Sequence, residues 1–361
     1  MKNLIVGYFD DPTALRTELQ DIPVPKDLKP FEILIKVEVA GSNPKDWKHP
    51  LPAYFNININ QGDDCAGTVA ALGSAVKGFV VGERVAGFHE MDTANGTYAE
   101  YAVCPSQAVF HIPDSLSYEE AATMPLAIFT AAVGMYRNLD LPGPWDRSDD
   151  KAASTAKIPL VVNAASGAVG AFVVKLAKLN SRIGPIIAIA GASADYVKSL
   201  GADAIVDYRS ETVAEDIKKA AGGVKINYVF DAANSLASTK YLTSVLEKGT
   251  GRYTCTTPFG ANKVTGSDGE MGRILEAAGI YYEMIWCGDV HEAKKPGGKL
   301  FGAVMSRAIE DALAEGRLSG HPHQVVKGGL NGVLGALEEL KGRSMKKSGN
   351  AKFVARIGET A

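Results

Sequence analysis

From Ile158 onward the chain alternates short apolar runs with helical stretches, and this rhythm constrains the fold more than any other feature. The runs that we interpret as strands are IPLVVNA (158–164), PIIAIA (185–190), AIVDY (204–208), NYVFDAA (227–233) and RYTCTT (252–257). Near-continuous apolar strands alternating with helices are typical of a doubly wound parallel sheet with helices on both faces. We therefore predict an α/β architecture for this part of the chain.

The first of these strands runs into NAASGAVG, a glycine-spaced turn before a predicted helix. Such turns bind nucleotide phosphates, because the helix amides point at the anion and the helix dipole favours it. Ala165 stands where G-x-G-x-x-G has its first glycine, which is tolerable if that residue has a negative φ. An ordinary strand–helix turn is the alternative. We predict cofactor contacts from Ser166, Gly167, Ala168, Val169 and Gly170.

The end of the second strand indicates which cofactor is bound. NAD sites place an acid about 20 residues after the glycines, on the ribose 2′-hydroxyl. Here the strand ends in Gly191, Ala192 and Ser193, and Asp195 is better read as part of the next helix's first turn. Small residues leave room for a 2′-phosphate, so NADPH is predicted, although no arginine clamp is evident. Tyr208 either flanks the adenine or is an ordinary strand-end tyrosine.

The N-terminal part has a different rhythm, with short strands and glycine-rich turns up to about residue 125. Short strands at this spacing predict an antiparallel, barrel-like domain. The last forty residues do not extend the strand–helix alternation, and we expect them to return to the first domain. The predicted boundaries are 1–128 completed by 319–361 for the first domain, and 129–318 for the second.

Composition narrows the class of protein. The chain has 361 residues and a net charge of −3, so no broad basic surface argues for nucleic acid or anionic lipid. Neither a signal peptide nor an apolar run long enough to span a membrane is visible. Four cysteines without a C-x-x-C pair are typical of reduced thiols. These features favour a cytoplasmic enzyme acting on a small-molecule substrate.

Several motifs together resemble the medium-chain dehydrogenase/reductase superfamily, in its zinc-free quinone and enoyl reductase branch. The matching stretches are AGSNPKDWK (40–48), GDDCAGTVAALGSAVKGFVVGERVAGF (62–88), GTYAEYAV (96–103), MPLAIFTA (124–131) and NAASGAVG (163–170). The resemblance covers nearly the whole chain and is nearest to a fungal subgroup that includes trans-acting enoyl reductases of polyketide assembly. It implies a GroES-like antiparallel β-barrel catalytic domain and a doubly wound parallel Rossmann domain.

The zinc alcohol dehydrogenases of this superfamily provide a check on metal binding. Their first catalytic cysteine falls at about Asn43, and their G-H-E motif corresponds to Gly62-Asp63-Asp64, so two ligands are replaced. Zinc needs three or four convergent Cys, His or carboxylate ligands. Cys65 and His89 are isolated and better read as packing and surface residues. We predict no metal site.

Without a metal, hydride transfer from NADPH to an already electrophilic quinone or α,β-unsaturated carbonyl is the expected chemistry. Negative charge then develops on the carbonyl oxygen, which needs a hydrogen-bond donor. By resemblance, the segment 43–48 lies at the nicotinamide end of the site. Candidate catalytic residues are Asn43, Lys48 and Tyr54, and candidate cofactor contacts are Lys45, Asp46, Trp47 and Lys48. Lys48 could also be a solvated surface lysine, Tyr54 a packed aromatic, and Asp46 a partner of Lys48.

The resemblance adds four further cofactor contacts in other parts of the chain. Thr130 is expected near the nicotinamide, and Thr256 and Thr257 beside it through backbone contacts. Lys352 matches a C-terminal lysine that closes over the cofactor in relatives.

Three functions remain open at this point. One is an NADPH-dependent quinone or enone reductase that works alone, and another is a trans-acting enoyl reductase that partners a polyketide synthase. The third is a non-catalytic, crystallin-like NADPH-binding protein. The form of the phosphate loop favours the reductase that works alone. A homodimer is a further expectation.

Overall fold

Contacts between residues divide the chain into two units in the computed structural model, which describes residues 1–11, 13–145, 157–256, 269–292, 294–346 and 350–361. Met1–Leu126 and Gly288–Ala361 form the first unit, and Ala127–Cys287 form the second. The predicted boundary at 318/319 lies later in the chain than this division. The domain limits predicted from the sequence, 1–128 with 319–361 and 129–318, stay a prediction.

The described strands and helices are numbered in chain order. The strands are β1 (Lys2–Gly7), β2 (Arg16–Asp21), β3 (Glu32–Gly41), β4 (Asp64–Leu72), β5 (Arg84–Phe88), β6 (Tyr101–Pro105), β7 (Val109–His111), β8 (Ile158–Asn163), β9 (Ile183–Ile189), β10 (Ala204–Val206), β11 (Tyr228–Asp231), β12 (Arg252–Cys255), β13 (Tyr281–Met284), β14 (His323–Val326) and β15 (Lys352–Arg356). The helices are α1 (Lys45–Lys48), α2 (Tyr118–Ala121), α3 (Pro125–Ala132), α4 (Ala168–Lys178), α5 (Ala194–Ser199), α6 (Val213–Ala220), α7 (Leu236–Val245), α8 (Glu270–Ala277), α9 (Gly298–Ala314) and α10 (Val333–Lys346).

The first unit is built on an antiparallel sheet, as the short, turn-bounded strands predict. Its strand order is β14-β15-β3-β4-β5-β7, with β6 also paired to β3 and with β1 and β2 forming a separate hairpin. All of these pairs are antiparallel except β14–β15. The long strand β3 is central, because it pairs with β4, β6 and β15.

The C-terminal segment contributes an inner strand to this sheet. β15 pairs antiparallel with β3 in a register that sets Val354 opposite Gly41. A buried cluster of Val, Ile and Leu side chains from β1, β3, β4 and β5 packs against Leu330, Val333 and Leu337. The residues that follow β3 and the residues of β15 are therefore neighbours, although they are far apart in sequence.

The second unit contains the predicted doubly wound sheet. Six strands pair in the order β10-β9-β8-β11-β12-β13, and every pair is parallel. The order reverses between β8 and β11, and ligands of such sheets bind at the carboxyl ends of the strands at this switch point. Asn163 and Asp231 end these two strands. The predicted fold class is confirmed.

None of the helices within the described ranges is both long enough and apolar enough to cross a membrane.

Candidate active site

The segment 43–48 leaves β3 as a tight turn whose shape is set by Asp46. The backbone N–H of Asn43 donates to the Asp46 carboxylate at 2.8 Å, and the Asp46 N–H donates to the Asn43 carbonyl at 3.0 Å. The Tyr98 hydroxyl also donates to Asp46, at 2.6 Å. Burial raises the pKa of Asp46 to about 7, although Lys45 opposes the shift. Asp46 is therefore a buried structural carboxyl, and its partner is Lys45 rather than Lys48.

Lys45 points into the first unit and forms an ion pair with Asp63. Its ammonium contacts the Asp63 carboxylate, donates to the Gln61 carbonyl at 2.7 Å, and lies 3.4 Å from Asp46. Burial alone would lower the pKa of Lys45, but the carboxylates of Asp63 and Asp46 outweigh it and raise the pKa. The same ion pair lowers the pKa of Asp63 against the effect of burial.

His89 belongs to this buried network and is not the surface residue that its isolation in sequence suggested. Its Nδ1 lies 3.0 Å from Asp63, and its Nε2 lies 2.9 Å from the Ala94 carbonyl. Both ring nitrogens are thus engaged.

A second ion pair joins Asp64 to Lys352. The Lys352 ammonium contacts the Asp64 carboxylate and donates to the Asn43 side-chain oxygen at 3.1 Å and to the Thr123 carbonyl at 3.3 Å. The Asn43 amide nitrogen donates to the same Asp64 oxygen at 2.7 Å. The backbone N–H of Leu126 donates to the other Asp64 oxygen. Lys352 and Asp64 thereby fix both ends of the Asn43 amide.

Lys48 differs from the other two lysines. Among the residues that the structure describes, no acid or hydrogen-bond acceptor contacts its ammonium, which lies 5.4 Å from the centre of the Trp47 ring. Burial lowers the pKa of Lys48. Trp47 itself packs against the barrel core. Tyr54 is half-buried in the following turn, and burial raises its pKa. Of the three lysines, Lys48 has the ammonium available for a bound molecule.

In the second unit, the turn after β8 has the geometry of a phosphate loop. Ala164, rather than Ala165, takes the left-handed conformation, with φ of 53°. Gly167 is the N-cap of α4, which begins at Ala168. Ser166, Ala168 and Val169 are half-buried around it. Ala165 does not have a positive φ, so alanine is acceptable at this position of the loop.

The two glycines of this loop have different surroundings. A β-carbon on Gly170 would lie 2.4 Å from the Ala164 carbonyl oxygen and 2.8 Å from Ala165 Cα, so close packing requires glycine there. A β-carbon on Gly167 would meet only the Ala164 oxygen, at 3.5 Å, which is an ordinary contact. The fold leaves space at Gly167, beside free helix amides, and a phosphate fits that space. The residues present therefore fit a dinucleotide.

Asp231, at the end of β11, accepts a hydrogen bond from Asn163, the residue that precedes the phosphate loop. One carboxylate oxygen accepts from the Asn163 side chain at 2.7 Å, and the other accepts from Tyr253 at 2.6 Å and from Ser238 at 2.9 Å. The backbone N–H groups of residues 233 and 234 also donate to it. The sequence analysis missed this residue, although an acid that ends an apolar strand was a visible signal.

Gly191 and Tyr208, both predicted cofactor contacts, are brought together. The Tyr208 ring packs against Gly191 and is half exposed, and Ser193 is the N-cap of α5. The Arg209 guanidinium lies 5.8 Å from the Tyr208 ring centre and is bonded to Asp207 at 2.9 Å. Arg209 was not predicted from the sequence, although it directly follows Tyr208, which was predicted as a cofactor contact.

The three predicted threonines differ in what can be said of them. Thr130 is buried within α3. The Thr256 hydroxyl donates to the Ala232 carbonyl at 3.3 Å, just after β12. Thr257 lies outside the described residues.

Comparison with known proteins agrees with this arrangement. Residues 29–114 match the family model "Alcohol dehydrogenase GroES-like domain", and residues 168–288 match "Zinc-binding dehydrogenase". The trans-enoyl reductase fsr4 of Gibberella fujikuroi is 37% identical, over 88% of this chain and 89% of its own. The chain belongs to the medium-chain dehydrogenase/reductase family. The trans-enoyl reductase resD of Aspergillus sclerotiorum is 30% identical, over 94% of this chain and 96% of its own.

Solved structures of this family share the fold. The CurK enoyl reductase is 21% identical, with a TM-score of 0.73 over 98% of both chains. The quinone oxidoreductase from Coxiella burnetii is 20% identical, with a TM-score of 0.71 over 99% of both chains. The prediction of an oxidoreductase is confirmed, and the chain uses a nicotinamide cofactor.

The name of the second family model raises the question of zinc. In the first unit, Asn43 and Asp63 stand where the resemblance to zinc alcohol dehydrogenases places two ligands, and Asp64 follows directly. The carboxylates of Asp63 and Asp64 each bind a lysine ammonium already. Zinc prefers nitrogen and sulfur ligands with free lone pairs. The atoms of Asn43 and Asp64 that could bind a metal are oxygens, and they already contact the Lys352 ammonium. These residues do not fit zinc.

Proposed function

We propose that this chain is an NADPH-dependent enoyl reductase that acts on an α,β-unsaturated thioester presented by a polyketide synthase. The observation that carries the proposal is its 37% identity, over 88% of its length, with a relative named as a trans-enoyl reductase. This similarity favours the partnered enzyme over the reductase that works alone, which the phosphate loop had favoured. A homodimer stays a secondary proposal.

The proposed cofactor site uses the second unit. The amides at the start of α4 would bind the pyrophosphate in the space beside Gly167. The segment 191–193 carries no acid, and the Tyr208 ring packs against Gly191 with the Arg209 guanidinium 5.8 Å from the ring centre. This arrangement favours a 2′-phosphate over a free 2′-hydroxyl. When bound, the reduced nicotinamide supplies the hydride.

The residues of the first unit then have distinct proposed roles. The Lys48 ammonium would donate to the substrate carbonyl oxygen, where negative charge develops as the hydride arrives. The Tyr54 hydroxyl would deliver the proton to the α-carbon. Lys45, Asp46 and Trp47 would shape the turn that carries Lys48, since their polar or aromatic groups are engaged within the unit.

A substrate screen tests the proposal. The purified chain is assayed for NADPH or NADH oxidation with crotonyl N-acetylcysteamine thioester, 2-hexenal and 1,4-benzoquinone. We expect turnover of the thioester and a marked preference for NADPH. Turnover of the quinone alone would support the reductase that works alone, and NADPH binding without any turnover would support the non-catalytic protein. Equal use of NADH would contradict the assignment at residues 191–193.

A further inference from the structure

We propose that Lys352 is a positioning residue whose ammonium is the fixed internal cation of the site, taking the place of a metal ion beside Asp64 and Asn43. The proposal concerns charge and geometry inside the first unit. It therefore goes beyond the reductase activity and does not depend on which substrate is reduced.

The contacts of Lys352 use the whole ammonium. Its three N–H groups have three acceptors, namely the Asp64 carboxylate, the Asn43 amide oxygen and the Thr123 carbonyl. The Lys352 side chain is 4% exposed and the Asp64 side chain is 0% exposed. A buried charge is strongly unfavourable unless it is paired and hydrogen-bonded. Lys352 and Asp64 satisfy that requirement for each other.

Gly41 gives the lysine stem its path. A β-carbon on Gly41 would lie 3.2 Å from Lys352 Cε and 2.2 Å from the Ala122 carbonyl oxygen. The register of β15 with β3 places Lys352 near this glycine. The backbone at Gly41 thus admits a long side chain that reaches from β15 across β3 to Asp64 on β4.

Asp63 and Asp64 make two cations necessary. They are adjacent in sequence and both are fully buried, and each is matched by its own lysine, Lys45 and Lys352. A metal ion at this place would have to displace a cation that is covalently part of the chain. Removal of the Lys352 side chain, in contrast, would leave a carboxylate, an amide oxygen and a carbonyl oxygen around an empty space of the shape of an alkylammonium ion.

The space left by the Lys352 side chain can be refilled by a small amine. Lys352→Ala removes the three outer carbons and the nitrogen of the side chain, and n-propylammonium replaces those atoms. We expect Lys352→Ala to lower the melting temperature and to lower kcat/KM at least tenfold. Added n-propylammonium should raise both with a saturable dependence, whereas tetramethylammonium, which has no N–H, should raise neither. Lys327→Ala, at an exposed lysine of the same segment, is the matched control and should resemble the wild type.

Rescue by n-propylammonium is a response that loss of packing alone would not show. The proposal is overturned if Lys352→Ala keeps its melting temperature and kcat/KM, or if it folds but does not respond to n-propylammonium. Stoichiometric zinc in the wild type that Asp64→Asn removes would also overturn it. The melting temperature needs no substrate, so this result stands apart from the test of enoyl reduction.

A double variant covers the case in which Lys352→Ala does not fold. Lys352→Met with Asp64→Asn removes both charges, so we expect it to fold with a higher melting temperature than Lys352→Met alone and to show no response to n-propylammonium. A double variant no more stable than the single one would contradict the pairing of these charges.

Discussion

The two candidate regions of the molecule deal with charge in opposite ways. In the first unit, Lys45 and Lys352 pair with the buried carboxylates of Asp63 and Asp64, and these partners fix the side chains. In the second unit, the loop around Gly167 contains no charged side chain and leaves open space beside helix amides. One region has its counter-charges built in, whereas the other leaves them to a ligand.

This difference shows why similar residue types have different meanings in the two regions. A lysine in the segment 43–48 looks like a cofactor contact in the sequence, yet the Lys45 ammonium is bound by Gln61 and Asp63. Both loop glycines look like cofactor contacts in the sequence, yet close packing requires glycine at Gly170 and not at Gly167. The predictions below test whether charge is internal in one region and external in the other.

The largest effect is expected at Asp46. Its pKa of about 7, against an ordinary value of 3.8, means that the unfolded state loses this proton first, so the free energy of unfolding falls between these pH values. Asp46→Asn should abolish that fall, which amounts to about 4 kcal/mol at about 1.4 kcal/mol per pKa unit. Urea unfolding of both proteins from pH 4 to pH 8 measures the difference.

Asp114→Asn is the matched control, because its side chain is 100% exposed. It should unfold like the wild type in the same series. A flat difference for Asp46→Asn would mean that Asp46 is ionised throughout the range.

The second prediction separates the two loop glycines. Gly170→Ala forces a β-carbon to within 2.4 Å of a carbonyl oxygen and should cost about 1–3 kcal/mol in urea unfolding. Gly167→Ala should leave unfolding nearly unchanged but raise the Kd for NADPH at least tenfold, measured by calorimetry. If Gly167→Ala binds NADPH like the wild type, the open space does not receive the phosphates.

The third prediction concerns the Lys48 ammonium, which is available for a bound molecule. Lys48→Ala should lower kcat/KM at least tenfold, about 1.4 kcal/mol of transition-state stabilisation. Because burial lowers the pKa of Lys48, activity should decline as the pH rises through that pKa, and the variant should lack this alkaline decline. Lys26→Ala, at an exposed lysine, should behave like the wild type. An unchanged kcat/KM in Lys48→Ala would remove this residue from the site.

The smallest effect is expected at Ala164, whose φ of 53° is unfavourable for a residue with a side chain. Ala164→Gly should raise the free energy of unfolding by up to about 1 kcal/mol, since relief of left-handed strain exceeds the entropy cost of glycine. Ala165→Gly, next to it but without a positive φ, should instead destabilise. Equal effects of the two substitutions in urea unfolding would contradict this assignment of strain.

The sequence was most informative where local geometry decides. The parallel sheet followed from apolar runs, and the position of the turn around Gly167 and Gly170, between a strand and a helix, followed from the glycine spacing. It was least informative about partners across the fold, because nothing local shows that Lys45 meets Asp63 or that Lys352 meets Asp64 and Asn43. Asp231 had a visible signal, as an acid that ends an apolar strand, but its partners Asn163, Ser238 and Tyr253 are shown only by the fold.

Lys352 and Asp64 are separated by 288 positions in the chain, and the whole second unit lies between them. Contacts of such long separation form late, because the intervening chain must be closed into a loop first. We therefore expect the second unit, which is contiguous, to fold before the Asp64 carboxylate meets its counterion. During synthesis Asp63 already has Lys45 available, whereas Asp64 lacks its counterion until β15 emerges from the ribosome. The ion pair that organises the site is thus also the closing step of its assembly.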